Sequence, residues 1–141
     1  MEEDIKQNSD EQEEKEYKIE EAEKNFNNKE FMIQAINDNA TWVLAYASEK
    51  ILPDKDLMLQ AVKKDGQVLY YASKELRDDK EVVLEAVKNK WLIIKYASKR
   101  IRGDKEVALA AITQKTDAAI YLTDEILKDP DIDAVLHKKE E

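Results

Sequence analysis

The chain has 141 residues, of which 39% are charged and 43% apolar, and its formal net charge is -9. It contains no Cys, one His, two Gly and two Pro, which excludes disulfide-stapled, collagen-like and cysteine-ligated zinc proteins. No apolar run approaches the roughly 20 residues of a membrane-spanning helix, and the acidic N-terminus is the reverse of a signal peptide. We therefore expect one domain of ordinary size, without a signal peptide or a membrane partner, in the cytoplasm or inside a host cell.

The N-terminal segment carries most of the net charge. Residues 1–30 contain 12 acidic residues and 5 lysines, whereas the remaining residues have a net charge of only -2. A run such as that from Glu11 to Glu16 cannot bury apolar area, so we predict that residues 1–15 form a disordered acidic tail. The tail would keep the protein soluble; the alternative is a segment that docks on basic groups elsewhere in the chain.

A 25-residue repeat follows the acidic segment. A tyrosine followed by Ala-Ser or Leu-Thr marks each copy, at Tyr46, Tyr71, Tyr96 and Tyr121. An aspartate followed two residues later by a second acid keeps the same step, at Asp54, Asp79, Asp104 and Asp129. The first copy holds one extra residue near Asn39. Two markers in register over four copies indicate a tandem-repeat architecture.

The sequence pattern of each copy predicts two short helices. The aspartates are suited to cap the first helix, whose apolar face includes Leu57, Met58 and Ala61. A break signal such as Asp65-Gly66 follows, and Val68, Leu69, Ala72 and Leu76 then have the spacing of a second helix. A single unbroken helix per copy is the alternative, because several of these apolar residues also stay in phase along one helix.

The fold class that follows is all-α: a short α-solenoid of about four 25-residue two-helix repeats, with capping helices at both ends. The helical-repeat domain covers residues 16–138. Its predicted parts are a half-cap at 16–27, repeats at 28–53, 54–78, 79–103 and 104–128, and a cap helix at 129–138. Polar terminal units of this kind keep stacked repeats soluble.

The segment from Asp79 to Val87, followed by Tyr96-Ala97-Ser98, closely resembles a tandem-repeat family known as a domain of unknown function, number forty-one sixteen. The resemblance covers about residues 28–130. It implies a helical array of the kind found in protists, large DNA viruses and bacteria that live in amoebae. It implies no known activity and no catalytic residues. The family's glycine between the two halves is present only at Gly66.

Candidate catalytic and metal-binding groups are few, and we predict a non-enzymatic protein without a cofactor. His137 is expected to be an exposed residue near the C-terminus, and no serine has a recurring basic partner. Three aspartates and Glu140 occupy four positions of a calcium-loop template, namely Asp129, Asp131, Asp133 and Glu140. However, Ala134 stands where that loop needs glycine, so we favour helix capping.

The positions that vary between copies predict the functional surface. On the outward face of the second helices, aromatic and aliphatic residues stand beside basic ones, a combination that protein-binding surfaces favour. The predicted partner-binding residues are Trp42, Tyr70, Lys74, Arg77, Leu92, Lys95, Lys99, Arg102 and Ile120. We expect the partner to be another protein rather than nucleic acid, since residues 31–141 are nearly neutral. The alternative is an acidic inhibitor or nucleic-acid mimic that acts through residues 1–30, and self-association could also account for the apolar positions.

Overall fold

The computed structural model of the protein describes residues 15–138, and these residues form an all-α helical-repeat fold without a β-strand. The predicted fold class is therefore confirmed. None of the helices in this part of the chain is long and apolar enough to cross a membrane. The acidic tail predicted at 1–15 lies almost entirely outside the described residues, so its role as a soluble tail or an inhibitory segment stays a prediction.

The repeats contain helices of two kinds. Within residues 15–138 the α-helices are α1 (Ile19–Lys24), α2 (Lys29–Asn37), α3 (Lys55–Lys64), α4 (Lys74–Arg77), α5 (Lys80–Asn89), α6 (Lys99–Arg102), α7 (Lys105–Gln114) and α8 (Pro130–Leu136). The 3₁₀ helices are η1 (Thr41–Tyr46), η2 (Gly66–Tyr71), η3 (Trp91–Tyr96), η4 (Thr116–Tyr121) and η5 (Ile126–Lys128). We number the copies one to four by the predicted repeats, so that each begins with a long α-helix and continues into a six-residue 3₁₀ helix.

Aspartate caps begin the long helices, as predicted. The side chain of Asp54 accepts a hydrogen bond from the Leu57 amide at 3.0 Å. Asp79 and Asp104 accept from the equivalent amides at 3.2 and 3.1 Å. In copy one, Asn28 has the same role. Each cap satisfies one of the amides that the first turn of a helix leaves without a partner.

The predicted break after each long helix is also present. Asp65, Lys90 and Lys115 have extended backbone conformations and separate α3, α5 and α7 from the 3₁₀ helices that follow. In copy one, Asn39 has a φ of 67°, and the amides of Asn39 and Ala40 donate to Ile36 and Ala35. This is a Schellman turn, which asparagine tolerates in the left-handed conformation. It accommodates the extra residue of this copy.

The second half of each copy differs from the regular helix that its spacing suggests. In copy two, η2 ends at Tyr71, Ala72 and Ser73 are extended, and Ser73 then caps the one-turn helix α4 through the Leu76 amide. Ser98 caps α6 in the same way in copy three. Serine side chains compete for backbone amides and favour helix starts over helix interiors. The serine of the Tyr-Ala-Ser marker therefore divides this half into two helical pieces.

The copies pack through two rows of helices. Helix α3 contacts α5, which contacts α7, and the 3₁₀ helices η1 to η4 each contact the next. Helices η2 and η3 also contact the long helix of the following copy. Each row contributes buried side chains to one continuous core, and those that are fully buried include Leu57, Met58, Leu69, Ile94 and Ile112.

Gly66 is at a point of close contact between copies two and three. A Cβ atom at this position would lie 2.5 Å from the carbonyl oxygen of Ala86 on α5. The Gly66 amide donates to the side chain of Asn89 at 2.7 Å. The glycine is therefore required by the close approach of two backbones. Its φ is not positive. The other copies form their 3₁₀ helices with Thr41, Trp91 or Thr116 at this position.

Tyr17 anchors the N-terminal end of the described chain. Its side chain is buried, its hydroxyl donates to Asp38 Oδ2 at 2.6 Å, and its ring packs edge-on against Phe31. Burial and the adjacent Asp38 carboxylate raise the pKa of Tyr17 to about 12. The same hydrogen bond lowers the pKa of Asp38. Tyr17 is thus fixed to copy one by a contact that the repeat pattern does not contain.

Candidate partner-binding surface

The 3₁₀ geometry of η1 to η4 determines which side chains face outward. Side chains three residues apart are aligned on one side of a 3₁₀ helix. In each of these four helices the second and fifth residues have this spacing, and both are exposed. The pairs are Trp42 and Ala45, Gln67 and Tyr70, Leu92 and Lys95, and Asp117 and Ile120. We call these eight residues the 3₁₀ face. They are among the positions that vary between copies and that the sequence predicts to face outward.

In every copy a large apolar side chain occupies one of the two positions of the 3₁₀ face, which is the second residue of the helix in copies one and three and the fifth in copies two and four. The exposed fractions are 37% for Trp42, 55% for Tyr70, 41% for Leu92 and 79% for Ile120. Because consecutive 3₁₀ helices contact one another, these four side chains follow one another along neighbouring copies, alternating between the two positions of the 3₁₀ face, and we call them the row. Single exposed apolar residues are ordinary, whereas a repeated row is typical of an interaction surface.

An aromatic and cationic cluster lies at the centre of the row. The rings of Tyr70 and Tyr96 are 5.0 Å apart and edge-on, and Tyr70 also packs edge-on against Tyr71. The ammonium of Lys95 lies 5.0 Å from the centre of the Tyr96 ring, within cation–π range. Tyr71 and Tyr96 are half-buried against the core. Tyr71 and Tyr96 therefore form an inner layer that contacts the exposed Tyr70.

The structure divides the nine predicted binding residues into two groups. Seven are exposed, namely Trp42, Tyr70, Lys74, Leu92, Lys95, Lys99 and Ile120. Arg77 and Arg102 are half-buried. The guanidinium of Arg102 donates to the carbonyl oxygens of Ala97 and Tyr121, at 3.2 and 3.1 Å, and so links copies three and four. The Nε of Arg77 is buried and has no acceptor within residues 15–138.

A row of ion pairs on the long helices is a feature that the repeat markers did not predict. Lys55 contacts Asp79 and Glu81 of the next copy, each at 3.0 Å. Lys80 contacts Asp104 and Glu106 at 3.3 and 3.0 Å. The same contact recurs from Lys29 to Asp54, and from Lys105 to both Asp129 and Asp131. We call Lys29, Lys55, Lys80 and Lys105 the lysine ladder.

The ladder has a signal in the sequence that could have revealed it. A lysine stands between the two acids of the marker at Lys55, Lys80 and Lys105, but Pro130 replaces it in the last one. Each lysine is the first residue of a long helix, so it lies beside the cap of the next long helix. The ladder ends at Asp129 and Asp131, because proline carries no amine to continue it.

The ladder contacts lower the pKa of Asp54 and raise the pKa values of Lys55 and Lys80. The Lys29 ammonium and the Leu57 amide hold the pKa of Asp54 below its usual value. The carboxylates of Asp79 and Glu81 raise the pKa of Lys55, and those of Glu106 and Asp104 raise the pKa of Lys80. These groups are exposed to solvent, so each single pair contributes little to stability. Their repetition gives every copy the same link to the next.

His137 and the aspartates of the calcium-loop template contact neighbouring residues of the last helix. His137 is exposed, and its Nδ1 lies 2.9 Å from Asp133 Oδ1. Asp129 accepts from the amides of Asp131 and Ile132, as a helix cap does. Glu140 of the calcium-loop template is outside the described residues. Between residues 15 and 138, no three or more acidic, His or Cys side chains are arranged to hold a metal ion.

Copies two and three each contain the full series of elements, which is a long helix, a break, a 3₁₀ helix and a one-turn helix capped by serine. Residues 54–102 match the family model of DUF4116, a domain of unknown function. The match confirms the resemblance seen in the sequence and covers α3 to α6. No curated protein and no solved structure gave a significant match to the chain. DUF4116 carries no assigned activity, so the match supports the repeat unit and assigns no residue a function.

Proposed function

We propose that this protein is a non-enzymatic scaffold, a short α-solenoid that binds a partner protein on its 3₁₀ face. The observation that carries the proposal is the row of exposed side chains at Trp42, Tyr70, Leu92 and Ile120. Apart from Ala45, the other apolar side chains of these 3₁₀ helices are buried or half-buried. The exposed apolar area of these four side chains costs solubility, and such area is expected of a binding surface.

The backbone beneath the row supports this role. The 3₁₀ helices are held between a long helix of their own copy and, for η2 and η3, a long helix of the next. Their exposed side chains consequently stand on rigid elements, which reduces the entropy lost when a partner binds. Tyr70 and Trp42 are of the residue types that contribute most to protein–protein affinity.

The test is affinity capture from a lysate of the source organism, with full-length wild type and a variant carrying Leu92→Glu and Lys95→Glu. Both residues are exposed on η3, so the variant should fold and lose the captured protein. The matched control carries Gln60→Glu and Lys63→Glu, which make the same change in charge at exposed positions of α3. We expect the control to capture the partner as wild type does.

Three results would contradict the proposal. Capture that survives in the Leu92→Glu and Lys95→Glu variant would place the binding surface elsewhere. Capture that vanishes after nuclease treatment would make nucleic acid the ligand. If nothing is captured and the protein sediments as an oligomer that the variant dissociates, the row is a self-association surface. Circular dichroism of each variant would confirm that its helices are retained.

A further inference from the structure

Charge is distributed unevenly between the two halves of copies two and three. The long-helix halves, residues 54–65 and 79–90, each contain three acidic and three basic residues. The 3₁₀ halves, residues 66–77 and 91–102, together contain six basic residues and one acidic residue. A net charge of +5 is thus concentrated on the second halves of the two central copies, although the whole chain is acidic.

Three of these basic side chains have no ion-pair partner among residues 15–138. Lys74, Lys95 and Lys99 are exposed, and none of them forms a salt bridge with another residue in the 15–138 range. Every lysine of the ladder, in contrast, is paired with a carboxylate of the next copy. Arg100 is likewise paired, with Asp78 at 3.0 Å. The unpaired ammonium groups belong to the half of the repeat that also carries the row of apolar side chains.

The apolar neighbours of these lysines restrict the partner further. Tyr70 and Leu92 are exposed in the same two copies, and burying them requires apolar groups on the partner. Exposed lysines at the rim of such a surface attract and orient a partner of opposite charge. A partner with only acidic side chains would leave Tyr70 and Leu92 uncovered. A partner with only apolar side chains would make no ion pairs with the exposed lysines.

We propose that the exposed surface of the second halves of copies two and three, formed by their part of the 3₁₀ face together with Lys74 and Lys99, binds an acidic protein segment in which Asp or Glu residues are interspersed with large apolar residues. This inference rests on the proposed function and names the class of partner. A nucleic acid fits less well, because the adjacent copy four exposes Asp117, Asp124 and Glu125. These carboxylates would repel a polyanion that continued along the row.

The experiment begins with a random linear peptide library selected on the immobilised full-length protein. We expect the selected sequences to be enriched in Asp and Glu together with Leu, Ile, Phe or Trp. Fluorescence anisotropy of synthetic selected peptides then gives Kd, which should weaken by about tenfold or more when NaCl is raised from roughly 50 to roughly 500 mM. Neutral or basic selected sequences, or no enrichment, would overturn the proposal.

Charge reversal locates the site of binding. The variant with Lys74→Glu, Lys95→Glu and Lys99→Glu should lose at least about tenfold in affinity. Its control, with Lys63→Glu, Lys64→Glu and Lys115→Glu, changes three exposed lysines outside the second halves and should bind as wild type does. Acidic peptides that bind the reversed variant unchanged would overturn the assignment of the surface.

Competition experiments test whether the chain's own acidic segment or a nucleic acid occupies this surface, and whether this inference can fail while the proposed scaffold function holds. Displacement of the selected peptides by a synthetic peptide of residues 1–14 would assign the face to the chain's own acidic segment. Displacement by oligothymidine at a lower concentration would assign it to nucleic acid. Either result overturns an external acidic protein as the partner. Non-acidic peptides that are lost in the Leu92→Glu and Lys95→Glu variant would overturn this inference while leaving the proposed scaffold function intact.

Discussion

Close backbone contact makes a single residue, Gly66, important to the stacking of the central copies. The Cβ of alanine would meet the Ala86 carbonyl oxygen at 2.5 Å, and neither backbone can move without displacing η2 or α5. At Gly103, in contrast, the nearest atom to an added Cβ is the side-chain Oγ1 of Thr123, at 2.9 Å. A side chain can rotate away, whereas a helix carbonyl cannot.

We therefore predict that Gly66→Ala lowers the free energy of unfolding by about 1–3 kcal/mol, the usual cost of overpacking a well-packed site. Gly103→Ala is the comparison variant and should cost less. Urea denaturation followed by circular dichroism measures both values. If the Gly66 variant is as stable as wild type, η2 and α5 can separate enough to accept a methyl group without loss of stability.

The helical elements of the second half depend on the serine of the Tyr-Ala-Ser marker. Ser73 and Ser98 both cap one-turn helices, through amides at 3.3 Å. Ser98 has two further contacts with copy two, because its hydroxyl donates to Asp78 and its amide donates to the Arg77 carbonyl oxygen. One serine thus fixes a helix start and joins two copies.

Removing these hydroxyls should have unequal effects. We predict that Ser73→Ala costs about 1 kcal/mol of unfolding free energy, the typical value of an N-cap, and that Ser98→Ala costs more because it also loses the bond to Asp78. Ser98→Thr should retain most of the stability, since Thr123 caps the equivalent position of copy four. Thermal and urea denaturation of the three variants test this order. Equal losses for Ser73→Ala and Ser98→Ala would show that the Asp78 contact contributes nothing.

At the scale of the whole molecule, the lysine ladder links all four copies in one direction. Its charges make stability depend on pH at both ends of the scale. The pKa of Asp54 lies below its usual 3.8, so its contribution is present above that value and lost as the pH falls through the lowered pKa. The pKa values of Lys55 and Lys80 lie above 10.5, so their contribution is lost as the pH rises beyond that value.

We predict that Lys80→Gln destabilises the protein more than Lys63→Gln does at pH 7 and low salt. Lys63 is exposed and has no ion pair within residues 15–138, so the second variant controls for the loss of charge. The difference should shrink in 1 M NaCl, where the screening length is only about 3 Å, and as the pH rises through the raised pKa of Lys80. Melting temperatures across pH and salt measure it. A difference that persists at high salt would mean that the lysine acts through packing rather than charge.

Seven of the nine predicted surface residues are exposed, but the sequence did not predict the 3₁₀ helices that carry five of them. Val68, Leu69, Ala72 and Leu76 fit the period of an α-helix, so their spacing alone cannot reveal that Ala72 and Ser73 are extended. The exposed positions were nonetheless predicted, because burial of the intervening apolar pairs forces Gln67 and Tyr70 outward in either geometry. The two arginines of the predicted set are half-buried, and Arg102 donates to the carbonyl oxygens of Ala97 and Tyr121.

The sequence by itself determined the 25-residue period, the aspartate caps, the breaks and the buried faces, because each is encoded by residues close together in the chain. Only the tertiary structure decided the ion pairs of Lys55 and Lys80, the close approach at Gly66 and the inward position of Arg102. These features join residues about one repeat apart, and their geometry depends on how one copy is stacked on the next. Stacking is set by the summed packing of two rows of helices, which no local pattern specifies.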